Sequence, residues 1–351
     1  MQQLSRRVLA FTAFLGLVVI FVASVATAQS YHYHYLVSNQ TGKAAHTDPL
    51  LKNPWGLAYQ PPPSPGSLGS PFWVSDEASG WSTLYDGMGN PQSLQVVIPP
   101  SSGSGQGTPT GIVYNPGSQD FKITNWPSVF LFATLDGTIS GWSTFDPSTA
   151  LIGARKTGAV YTGLAITNRT SGNLLYAADS ANNIVDVYDN TFTLVHSFTD
   201  PSAPAGFAPF GAQDINNMVY VTYASTSGGT GGFVSVFKED GTFVKELIHS
   251  SVLNQPWGLA LAPSGFGPLS GSLLVGNNSV SGTISAFNPT SGKFIAKVTD
   301  LSGAPLHFSG LWALQFGGGT TNNGQKNHLY FTAGPGDTNG YLGVIWFFSG
   351  L

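Results

Sequence analysis

Cysteine is absent from this 351-residue chain, and charge is scarce: Asp, Glu, Lys and Arg together make up 9%, and Glu occurs only three times. Without Cys there is no disulfide, no thiolate nucleophile and no lipid-modified cysteine anchor. Long solvated helices draw on Glu, Lys and Arg, so they are excluded as well. With 13 basic against 17 acidic residues, the formal charge is −4. No basic run is longer than a pair, so nothing neutralises a phosphate backbone and nucleic acid is not an expected partner. A Gly-x-Ser-x-Gly elbow and a Gly-Lys-Ser/Thr phosphate loop are also missing, and no catalytic constellation emerges.

What is present points to an exported all-β protein. Hydrophobic residues make up 42% and aromatics 13%, alongside 44 Gly and 23 Pro; that apolar content buries a core and excludes disorder. Arg6-Arg7 precede a largely apolar run from Val8 to Val25, and Ala26-Thr27-Ala28 supplies the small residues that a signal peptidase accepts. Residues 1–28 are therefore expected to be a signal peptide, with residues 29–351 as one domain, secreted or periplasmic. A retained membrane anchor is the alternative. Ser5-Arg6-Arg7 resembles a twin-arginine start, and the general export route stays equally open. No later apolar run approaches twenty residues, so no membrane span is expected after cleavage.

One short phrase recurs six times: Pro54-Trp55-Gly56-Leu57-Ala58, Pro109-Thr110-Gly111-Ile112-Val113, Tyr161-Thr162-Gly163-Leu164-Ala165, Pro209-Phe210-Gly211-Ala212, Pro256-Trp257-Gly258-Leu259-Ala260 and Phe308-Ser309-Gly310-Leu311. Apolar runs of strand length follow each copy, some alternating at period two, such as Ile184-Val185-Asp186-Val187-Tyr188. Four strands per unit and six units predict a six-bladed β-propeller of four-stranded antiparallel blades. The Gly belongs where neighbouring innermost strands crowd the axis. A β-sandwich is the rival architecture. Tyr31 to Val37 alternates as a strand and is expected to complete the sixth blade. The excursions 61–71, 101–109 and 225–232 read as flexible surface loops.

Asn53-Pro54-Trp55-Gly56-Leu57-Ala58, Asp136-Gly137-Thr138-Ile139-Ser140-Gly141-Trp142, Leu274-Val275-Gly276-Asn277 and Leu329-Tyr330-Phe331-Thr332-Ala333-Gly334 together resemble an exported bacterial family described only as conserved hypothetical proteins. Leu175 to Ile184 more loosely resembles an NHL-type propeller repeat. The resemblance implies a six-bladed propeller and export, and it implies no reaction. Some members of that family end in a sorting helix with a basic tail; this chain stops at Phe347-Phe348-Ser349-Gly350-Leu351, so anchoring by that route is not implied.

Propellers bind ligands at the mouth of the axial channel. The residue before each repeated Gly is Trp55, Thr110, Thr162, Phe210, Trp257 or Ser309. These six are the candidate ligand-binding set. The aromatics would form a platform for an apolar or sugar-like ligand; the bland reading makes them wedges between blades. Asp76, Asp179 and Asn277 follow the second run at equivalent places, as turn-forming side chains would. In the rival reading, Glu77, Asp179 and Asn277 hold Ca²⁺ or Mg²⁺ in the channel of a metal-dependent hydrolase or lyase. Glu239-Asp240-Gly241 reads as a hairpin turn. His32-Tyr33-His34 puts two imidazoles on one strand face, and two ligands do not make a metal site. The favoured reading is a monomeric module that binds a small molecule, a glycan or an envelope protein without a cofactor.

Overall fold

The computed structural model describes residues 30–348; the expected signal peptide and its cleavage point lie outside them. The chain forms the anticipated all-β ring of six antiparallel blades. Their innermost strands are Pro54–Ala58, Pro109–Tyr114, Tyr161–Ile166, Phe207–Asp214, Pro256–Leu261 and Leu311–Phe316. Each innermost strand packs beside the next, and the sixth packs beside the first, so the ring is closed.

The repeated Gly is forced by this crowding. A Cβ on Gly56 would lie 2.6 Å from the Thr110 carbonyl oxygen of the next blade, and one on Gly163 would lie 2.8 Å from the Cα of Gly211. No side chain fits there without moving the neighbouring backbone. The sixth copy of the phrase needs a correction. Gly310 precedes its strand, at a φ of 65°, and is a turn residue. The waist of the sixth blade is Ala313, whose N–H donates to Thr332 Oγ1 at 3.0 Å, just as Gly211 N–H donates to Thr222 Oγ1 at 2.8 Å. The sixth phrase therefore reads Leu311-Trp312-Ala313-Leu314.

Hydrophobic clusters fill all six blade interfaces, so the core is a ring of wedges rather than one centre. Closure falls to the N-terminal strand, as expected. Ser30–Ser38 pairs antiparallel with Tyr341–Phe348, and His46–Thr47 adds an unexpected parallel fifth strand. Tyr31 reaches into the fifth blade, its N–H donating to Thr299 O at 3.0 Å and its hydroxyl to Phe266 O at 2.8 Å. Period-two alternation sends Tyr31 and Tyr35 into the cluster shared with the fifth blade. A bulge between Tyr35 and Val37 then lets both Leu36 and Val37 join the cluster shared with the first.

Candidate functional site

The residues before the waist meet across the axis. Trp55 and Phe210, on opposite blades, have ring centroids 6.2 Å apart, and Trp55 lies 6.4 Å from Trp257. Sequence reasoning missed the fourth ring: Trp312 stacks on Trp55 at 3.6 Å and 18° and also touches Phe210 and Trp257. Ser309, the expected sixth member, lies upstream of the strand, and Trp312 holds its place. Aligning Trp312-Ala313-Leu314 with Trp55-Gly56-Leu57 is the signal that finds it. Trp257 Nε1 donates across the channel to Thr162 O at 2.8 Å, and Trp312 Nε1 to Asn53 Oδ1 at 3.1 Å.

The rings are therefore neither wedges between blades nor an open platform, because they stack on one another. Trp55 is 7% exposed and Trp312 5%, while Phe210 and Trp257 are partly exposed. The hydroxyls are committed too: Thr110 Oγ1 donates to Tyr161 O at 2.7 Å and Thr162 Oγ1 to Pro209 O at 3.4 Å, each stapling one blade to the next. The channel beyond the rings keeps about 30 Å³, on the scale of one water.

Glu77, Asp179 and Asn277 stand on alternate blades and do not come together. Glu77 accepts from Asn53 Nδ2 at 2.8 Å. Asp179 Oδ1 accepts from Val160 N at 3.1 Å, and its Oδ2 pairs with Lys156 Nζ at 3.2 Å. Asn277 Oδ1 accepts from Asn254 N at 2.9 Å. Asp76 binds Thr83 N and Oγ1 through one oxygen, and burial pushes its carboxyl well above the usual range. Asp76, Asp179 and Asn277 each lock their own blade's turn, as side chains of this type do. Among the described residues, no three His, Asp or Glu side chains stand close enough to hold a metal ion. Gly241, at a φ of 83°, completes the expected hairpin turn after Glu239-Asp240.

A large concavity lies elsewhere, on the face where the innermost strands end, at the seam between the sixth and first blades. It is a groove of about 960 Å³. Its floor is one face of the sixth blade. Strand register places His32 opposite Trp346, and His34, Val344 and Tyr330 in the adjacent row. Trp346 stacks between His32 at 5.8 Å and His328 at 5.9 Å. Burial pushes the His328 imidazole below its ordinary pKa, keeping it neutral near pH 7.

The walls are the 66–68 and 86–88 segments of the first blade and the 319–325 loop of the sixth. Thr320 Oγ1 donates to Leu68 O at 2.6 Å, Asn322 Nδ2 to Gly69 O at 3.1 Å and Asn323 Nδ2 to Ser70 O at 3.2 Å. The excursion expected to be a free loop is thus tied across the seam. Gly87 N–H donates to Thr321 O at 3.0 Å, and Tyr330, its phenol pushed up to about 12 by burial, donates to Gly87 O at 3.0 Å. Leu68 and Met88 stand out from these walls, 52% and 69% exposed.

A closed six-bladed propeller with a blocked axis and a preformed lateral groove is the class that these observations define. Matching solved structures include two of glucose dehydrogenase, with TM-scores of 0.56 and 0.55 at 12% and 14% identity; each covers 89% of this chain and 98% of its own. At such identity they establish the fold alone. No protein-family model matches. An uncharacterized protein of Acanthamoeba polyphaga mimivirus is 31% identical over 324 residues, 86% of this chain and 76% of its own length. A second from the same virus is 29% identical over 337 residues, 89% of this chain and 84% of its own. The chain belongs to the family of these uncharacterized proteins. The relatives found are viral, whereas the resemblance in the sequence implied bacterial ones, and nothing in them bears on the NHL-type likeness of residues 175–184.

Proposed function

We propose that the protein is a ligand-binding module of the extracytoplasmic space and that its site is the seam groove rather than the axial mouth. One observation carries this reading: the mouth is filled by four rings that stack on each other, whereas the groove is concave, largely apolar and held open by hydrogen bonds across the seam. A cleft of this size, lined mainly by apolar groups with a few polar ones, is the usual form of a small-molecule site. Export rests on Arg6-Arg7, the apolar run that follows them and the absence of Cys. Crystals soaked with a fragment collection test the site: density in the groove beside Trp346 is expected, and density confined to the axial rings overturns the assignment. Expression of the full chain in a bacterial host tests export, with a mature protein beginning at Gln29 as the expected product.

A further inference from the structure

The groove's chemistry narrows the ligand, if the binding reading just given holds. No Lys or Arg lines it, and its one carboxylate is already engaged: Asp86 Oδ1 accepts from Met88 N at 2.8 Å and Asn90 N at 2.9 Å, and Oδ2 accepts from Asn90 Nδ2 at 2.8 Å. An anionic group would find no cation there and a cation no free carboxylate, so either would lose its hydration without compensation. Trp346 and His328 are the stacked rings of the lining, 30° from parallel, and His32, outside the lining, stacks on Trp346 at 25°. Among the described residues, Trp346 Nε1 and the ring nitrogens of His34 and His328 make no hydrogen bond within the chain, which leaves them for a ligand. Facing them, Met88 and Leu68 are long, adaptable apolar side chains held in water. Of the polar side chains in the lining, Ser67, Asp86, Thr320 and Tyr330 are already engaged within the chain, which leaves few partners for the many hydroxyls of a glycan.

We propose that the seam groove binds an uncharged, largely apolar molecule carrying a flat ring system, with the ring against Trp346 and the imidazoles and the aliphatic part under Leu68 and Met88. The Trp346 indole supplies the aromatic contact and a hydrogen-bond donor; His34 and His328 accept from, or donate to, a single polar substituent.

N-phenyl-1-naphthylamine, an uncharged flat dye, tests this on the full-length protein, beside its sulfonated analogue 1-anilinonaphthalene-8-sulfonate and maltohexaose. Saturable dye emission is expected. Trp346→Ala should weaken binding about tenfold, the scale of one aromatic contact, and Phe210→Ala should leave it unchanged. Met88→Glu changes an exposed side chain that the fold does not need, and it should weaken the dye by a similar factor with an unaltered melting curve. If maltohexaose or the sulfonate binds more tightly than the dye, and Trp346→Ala abolishes that binding, the ligand class is wrong and the groove reading stands. If no probe responds to either substitution, both fall.

Discussion

Asp214 shows how one side chain can set a pH dependence in a protein with so little charge. It follows the innermost strand of the fourth blade to its end, and its Oδ2 is buried without a partner among the described residues. Burial first, and the nearby Glu239 second, push its carboxyl up to about 6 from an ordinary 3.8. The folded state therefore holds this proton more tightly than the unfolded chain does. The resulting stabilisation is complete below the unfolded value and is lost as pH rises through the folded one. Asp214→Asn keeps the shape and removes the ionisation, so it should raise the melting temperature near pH 8 and leave it unchanged near pH 3. Differential scanning fluorimetry at both pH values decides the matter; an equal shift at both would mean that the gain comes from packing rather than charge.

At the scale of the strand, the waist is where sequence and geometry coincide most closely. Gly163 faces the Gly211 Cα and Phe210 O of the next blade, both 2.8 Å from the point that a Cβ would occupy. Gly163→Ala should therefore cost about 1–3 kcal/mol, the usual penalty for overpacking a filled site, read as a lower urea midpoint with an unchanged slope. Five of the six waist positions could be read directly from the chain, because nothing but Gly fits against the next backbone. The sixth could not be read in the same way: Ala313 does the job, while Gly310 sits three residues upstream for a different reason, a positive φ. Trp312 was hidden by that offset. The groove was illegible for another reason. Its floor comes from 34–36 and 344–346 and its walls from 66–68, 86–88 and 319–325, segments that only ring closure brings together.

For the whole molecule, the closing strand and the groove are one device. Ser30–Ser38 contributes Tyr31, Leu36 and Val37 to two blade interfaces, and the same strand carries His34 into the groove lining. Burying those three side chains stabilises the closed ring by about 4.5–9 kcal/mol in total, at 1.5–3 kcal/mol each, less the entropy of ordering the strand. A mature chain lacking residues 29–47 should keep five intact blades and lose the cover of the sixth, exposing the Tyr341–Phe348 edge. Its melting transition should fall and broaden, and dye binding at the seam should vanish. Because an open sheet edge accepts an added strand, a synthetic peptide of residues 30–47 should pair with that edge and restore both. The converse follows by linkage: any groove ligand that contacts His34 and Trp346 binds only the closed ring, so saturating dye should raise the melting temperature of the intact protein. Dye binding that persists in the chain lacking residues 29–47 would separate closure from the site and show that the groove does not depend on the strand.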